Sequence, residues 1–163
     1  MTGRRASLMV TCLGDLFFPD VGVSIVRVLR KLGVTVDVPA DQTCCGLPLF
    51  NSGYHGEAAG VARRTLSLFR DSEHVVVPSG SCAWMVKHEY PGLLASAGLA
   101  REAEQLAART HELSQFLVRV LGAREIRRPP LGRREARGRR SIPATAGSRP
   151  RSPPGPERGP CRG

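Results

Sequence analysis

Three short apolar runs alternate with stretches of helical periodicity along the first 121 residues, and this alternation leaves few folds open. Ser7–Leu13 reads as a strand buried on both faces, Val34–Val38 as a second strand closed by Pro39, and Val75–Val77 as a third ahead of Pro78. Between them, Val21, Ile25, Val28, Leu29 and Leu32 recur at helical spacing up to Gly33. Ala58, Val61, Ala62, Thr65, Leu66 and Phe69 do the same up to Asp71 and Ser72. A further helix is expected to start near Cys82, after Ser79-Gly80-Ser81. A long one is expected from about Leu99 to Leu121, on the stripe Leu99, Ala103, Leu106, Thr110, Leu113, Leu117 and Val120. Strands and helices in strict alternation predict an α/β fold, a small parallel sheet with crossover helices. Three strands make a thin sheet, so at least one of its edges has to be covered or extended.

The charge is unevenly placed. The chain of 163 residues carries 24 Lys+Arg against 14 Asp+Glu, a net charge of +10. Residues 127–163 hold 11 Arg, no Lys and two Glu, with eight of the 13 prolines, so residues 1–126 are close to neutral. This predicts one domain over 1–126 and a disordered Arg/Pro/Gly-rich tail over 127–163, too poor in apolar side chains to offset its ordering entropy. Arg without Lys, among Pro, Gly and Ala, is also the output of GC-rich codons, which points to a frameshift near position 126. The rival reading is an arginine-rich arm that binds RNA or DNA through salt-sensitive phosphate contacts.

Composition excludes a coiled coil, a collagen-like chain and a disulfide-dense miniprotein. No run reaches the roughly 18 apolar residues of a membrane helix. Asp15 interrupts the first apolar run and no small-x-small site follows, so the start reads as a buried strand of a cytoplasmic protein. Thiols stay reduced there, which makes cysteines candidates for ligands or reactive groups.

Four cysteines fall at related places. Cys12 lies at the carboxyl end of the first strand, Cys44 and Cys45 just beyond the second, and Cys82 after the third. The carboxyl ends of a parallel sheet open on one edge, where ligands bind, so thiols far apart in the chain are expected to gather. Gly46 frees the Cys44-Cys45 backbone from extended geometry. A helix start at Cys82 favours its thiolate. Ser79, Gly80 and Ser81 are small enough for an inorganic cluster to approach, and their amides and hydroxyls can donate to sulfur. Four thiolates are the usual complement of a [4Fe–4S] or [2Fe–2S] cluster and equally of structural zinc. Taken singly, each cysteine reads as a small buried hydrophobe.

The spacing Cys12…Cys44-Cys45-Gly46…Ser79-Gly80-Ser81-Cys82 resembles the cysteine-rich CCG domain family of iron–sulfur proteins. Within that family the runs Val10–Phe17, Cys44–Pro48, Asn51–Tyr54 and Asp71–Cys82 are similar to the lactate utilization protein A group, from about Ser7 to about Ile126. The resemblance implies the first half of a tandem two-domain architecture. It implies an iron–sulfur cluster, of [4Fe–4S] type, held as metal and cofactor by Cys12, Cys44, Cys45 and Cys82, with Gly46, Ser79, Gly80 and Ser81 beside the ligands. It also implies electron transfer in the oxidation of L-lactate to pyruvate, and other lactate-utilization proteins as partners. Ser79 stands where the wider family often has the first cysteine of Cys-x-x-Cys, so a four-thiolate site needs all four remaining cysteines. Cys161, in the tail, matches nothing. The alternatives are a structural zinc or interaction module without a redox role, and a nucleic-acid binder acting through the tail.

Other constellations carry less. Ser79-Gly-Ser-Cys-Ala-Trp84 is similar to the run around the nucleophile of papain-like proteases, but His88 and His111 are expected on helices and offer no partner. His55, His74, His88 and His111 show no paired metal spacing, although His55 is near the Cys44-Cys45 loop. Trp84 is expected in the core. Ser52, Gly53 and Gly56 read as a turn into a helix. Glu57, Glu102, Glu104 and Glu112 read as solvated helix faces, and no catalytic acid–base pair is evident.

Overall fold

A computed structural model describes residues 3–123. The expected domain boundary at 126, the basic tail over 127–163 and Cys161 lie outside the described residues. The chain order is β1 (Arg5–Leu8), α1 (Cys12–Phe17), α2 (Pro19–Lys31), β2 (Thr35–Asp37), α3 (Leu47–Asn51), α4 (His55–Leu68) and β3 (Val75–Val77). There follow α5 (Gly80–Trp84), a π-helical turn (Met85–Glu89), α6 (Tyr90–Leu93), a short 3-10 turn, and α7 (Ala100–Arg109). β4 (Thr110–Glu112), α8 (Leu113–Gln115) and a second π-helical turn (Phe116–Val120) complete it.

The four strands form one all-parallel sheet in the order β2-β1-β3-β4. Side chains alternate across a strand, so β3 serves two cores at once. Val75 and Val77 point into a layer built from α4, α5, α6 and α7, with Leu66, Phe69, Met85, Tyr90 and Leu106. Val76 points to the other side, where Ile25 and Leu29 of α2 meet Phe116. All three valines are at most 1% exposed, and burying each contributes about 1.5–3 kcal/mol. The α/β parallel sheet expected from the alternation is present, with helices on both faces.

Two elements differ from expectation. The stripe from Leu99 to Leu121 is not one helix: α7 stops at Arg109 and the chain enters β4, which pairs Thr110 with Val75, His111 with Val76 and Glu112 with Val77. The buried Thr110 hydroxyl donates to Leu106 O (2.7 Å), and the Lys87 ammonium donates to the carbonyls of Ala107 and Thr110 (3.3 and 3.1 Å). These side chains take carbonyls that a continuing helix would have bonded. Glu112 then caps α8, accepting from the backbone N–H of Ser114 (2.9 Å). β4 is the added edge that a three-stranded sheet lacked.

The first strand is also shorter than Ser7–Leu13, ending at Leu8. Beyond it Met9 N–H still donates to Val76 O of β3 (2.9 Å). Toward β2, however, a side chain replaces the ladder: Val10 N–H donates to Gln42 Oε1 (2.8 Å), and Gln42 Nε2 donates to Leu8 O and Pro39 O (both 2.9 Å). Thr11 then caps α1, its hydroxyl accepting from Gly14 N–H (3.2 Å). A Cβ on Gly14 would sit 2.7 Å from that hydroxyl, so the cap requires glycine. Gln42→Ala removes three hydrogen bonds from partly buried backbone groups. It is expected to lower stability by about 1–3 kcal/mol, read by urea unfolding, and to speed amide exchange at Val10.

Candidate functional site

In the sheet order, β1 and β3 are neighbours. The chain leaving β1 crosses to β2 on one flank, and the chain leaving β3 reaches β4 on the other. Their carboxyl ends therefore flank a topological switch point, the place where open α/β sheets bind ligands. Cys12 opens α1 after β1, and Cys82 is the third residue of α5 after β3. Cys44 and Cys45 come from the loop between β2 and α3. Cys12 is thus four residues beyond its strand, not at the strand end as expected, because Gln42 and Thr11 turn the chain into α1 first.

The four thiols meet in two pairs. Cys12 and Cys44, toward the surface, have sulfurs 3.5 Å apart. The buried Cys45 thiol and the half-buried Cys82 form the second pair, their side chains interacting directly. Electrostatic interaction links the pairs, since Cys12 feels Cys82 and Cys45 feels Cys44. Among the described residues, no three His, Cys, Asp or Glu side chains close on a single ion position.

Local structure aims these sulfurs. Gly46 has φ 87°, a left-handed conformation that turns the chain from the cysteine loop into α3 and costs other residues about 1–2 kcal/mol. The fully buried Tyr90 hydroxyl donates to Cys45 O (2.8 Å), with Thr65 bonded to the same hydroxyl. Arg64 of α4 donates to Asp41 O (3.3 Å) at the start of the loop. The loop is thereby fastened to β1 by Gln42, to α4 by Arg64 and to α6 by Tyr90. Neither Gln42 nor Tyr90 stood out in the sequence. A lone glutamine in a loop and a tyrosine on an apolar helix have no motif, and only three-dimensional proximity reveals their partners.

Protonation follows from these contacts. Hydrogen bonding to Cys82, with burial, drives the Cys45 thiol far above its ordinary range. The Cys45 donor, opposed by burial and aided by the Ser79 and Ser81 hydroxyls, brings Cys82 down to about 6. Cys12 is raised by desolvation, by its hydrogen bond to Cys44 and by the charge there. At neutral pH the inner pair is accordingly a thiolate at Cys82 held by a thiol at Cys45. In metal-free protein the rate of Cys82 alkylation by iodoacetamide is expected to rise through pH about 6, since only the thiolate reacts. Ser79→Ala with Ser81→Ala should move that midpoint upward, and mass spectrometry of the labelled peptide reads both. Tyr90→Phe is expected to cost about 1–3 kcal/mol, because Cys45 O loses its buried donor, as denaturant unfolding will measure.

Other sequence candidates lie elsewhere. Trp84 is 47% exposed, not in the core, because α5 turns its ring outward against His88 (ring centroids 5.6 Å apart). His111 lies on β4, not on a helix, beside His74 and Phe116 (5.3 and 5.8 Å). Glu112 is a cap on that strand and not a helix face. His55 opens α4 and packs edge-on against Phe50 (4.8 Å). The turn at Ser52 and Gly53 does lead into α4, as expected.

Among known families, the model described as a cysteine-rich domain, CCG, matches residues 6–87, half of this chain. Lactate utilization protein A from Shouchella clausii is 50% identical over 123 residues, covering 75% of this chain and 51% of that protein. The protein of that name from Halalkalibacterium halodurans is 48% identical over 123 residues, covering 75% and 50%. Lactate utilization protein A 2 from Bacillus cereus strain Q1 is 47% identical over 119 residues, covering 72% and 49%. The chain spans about half the length of these relatives. No solved structure matches it.

Proposed function

This chain belongs to the cysteine-rich CCG domain family, and on that premise we propose that it is an iron–sulfur electron-transfer component that serves lactate oxidation. The observation that carries the reading is the arrival of four thiols from three chain segments at one sheet edge. The donor set is sulfur in kind, four free cysteines brought to one sheet edge, although among the described residues no three of them close on a single ion position. The Cys12–Cys44 sulfur separation of 3.5 Å suits two thiolates on one metal atom, a geometry common to zinc and to an iron of a cluster. The choice of iron over zinc therefore rests on the family.

Cys12, Cys44, Cys45 and Cys82 would hold the cluster from unequal positions: Cys45 is buried, Cys44 and Cys82 are half-buried, and Cys12 is exposed. An iron–sulfur cluster supplies one-electron transfer, at a potential set by burial and by hydrogen bonds to sulfur. The residues do the rest. Ser79 and Ser81 donate to Cys82 and favour its thiolate. Tyr90 and Gln42 keep the cysteine loop from spreading. Apolar packing from Met85 and Ala83 dries the inner pair. The exposed Cys12 side is where an electron partner would approach.

The lactate assignment rests on the relatives' names, and oxidation of L-lactate to pyruvate would be shared with other proteins of a lactate-utilization system. Among the described residues we assign no acid–base pair to that substrate. A cytoplasmic setting, where thiols remain reduced, accords with this reading. Among the described residues no helix is long and apolar enough to cross a membrane.

Protein purified without oxygen is expected to be brown, with broad visible absorbance and stoichiometric iron and sulfide. Cys45→Ser or Cys82→Ser should abolish the colour. A colourless protein holding zinc instead would establish the structural-metal reading.

A further inference from the structure

The short helix α1 buries none of its residues. Leu13, Leu16 and Phe17 recur at helical spacing on one face and are 66, 73 and 63% exposed; Phe18 and Val21 extend the patch at 66 and 50%. Large apolar side chains clustered on a surface mark interaction sites, whereas scattered ones need no explanation. Beside the patch lies a cavity of about 100 Å³, floored by Leu8, Val10 and Pro78. Only Asp15 and Asp20 are charged between Thr11 and Val23. Helical apolar periodicity of this kind ordinarily faces a core, and here no described residue supplies one.

Three observations identify the occupant. The relatives are about twice as long as the matched segment, with about half of each lying outside it. Residues 124–163 contain only Ile126, Leu131 and Ile142 as large apolar side chains, against five on the patch. The patch is also continuous with the cysteine edge, because Cys12 is the first residue of the same helix.

We propose that the α1 face, Leu13, Leu16, Phe17, Phe18 and Val21, docks a polypeptide equivalent to the half of the relatives that this chain does not match. The docking partner presents an apolar surface edged by basic groups that meet Asp15 and Asp20. Seated there, it covers the exposed side of Cys12. This deepens the reading above by giving its partner a surface, but its test reads association and not metal.

The full chain is co-expressed with the unmatched portion of the Shouchella clausii relative as a separate, tagged polypeptide. The expected result is a 1:1 complex on size exclusion, weakened at least 100-fold by the double variant Leu16→Glu, Phe17→Glu. Val118→Glu, at an exposed apolar position outside the patch (60% exposed), should bind like the parent chain. Circular dichroism checks that both variants are folded, and all four cysteines are retained in each. Failure of the parent chain to co-purify overturns the proposal, as does a complex indifferent to Leu16→Glu, Phe17→Glu. Self-association of the chain alone that this double variant abolishes also overturns it, in favour of a second copy as occupant. Iron content measured on the same samples separates a failure of docking from a failure of the cluster reading.

Discussion

Where a parallel sheet ends, its strands leave backbone groups with no ladder to join, and here side chains satisfy them. Gln42 takes up Val10 N–H and the carbonyls of Leu8 and Pro39 in place of a neighbouring strand. Tyr90 takes up Cys45 O from inside the core. Because a buried unpaired carbonyl is costly, these bonds make the loop's position a consequence of folding. The cysteines inherit that position: Cys44 and Cys45 follow Gln42 within three residues, and Cys12 follows Val10 within two.

The inner pair illustrates how packing becomes chemistry. Burial alone would keep both thiols neutral. Donors from one side, the Cys45 thiol and the Ser79 and Ser81 hydroxyls, favour charge on Cys82, while Cys45 remains protonated as a donor. Two serines ahead of a cysteine at a helix start thus act as a small cradle for anionic sulfur. The outer pair, Cys12 and Cys44, lies nearer the surface, so the two pairs differ in dielectric and in access.

Much of this was legible in the residues. Val75–Val77 is a strand because three β-branched side chains bounded by a proline suit a strand buried on both faces, and Gly46 adopts the left-handed turn that its place after two cysteines requires. That the segments carrying Cys12, Cys44, Cys45 and Cys82 leave the same edge of the sheet follows from the parallel topology that the alternation implies. β4 was hidden because Thr110, Leu113 and Leu117 continue the helical stripe of α7; the stripe is real on both helices, and a three-residue strand between them leaves no signature of its own. The early end of β1 was hidden too, since Met9 and Val10 suit a strand and only Gln42, 32 residues beyond Val10, displaces the ladder. Trp84 was misplaced because an isolated aromatic carries no information about which way its helix turns.

The claim most exposed to test is that these four sulfurs together hold a polynuclear iron site. X-ray absorption at the iron edge on anaerobically purified protein examines it directly. The account predicts a shell of sulfur alone, with iron–iron scattering behind it, that is lost in Cys45→Ser and Cys82→Ser. Iron absent in favour of zinc with a single-ion sulfur shell, or iron bound by nitrogen or oxygen without an iron–iron path, would contradict it.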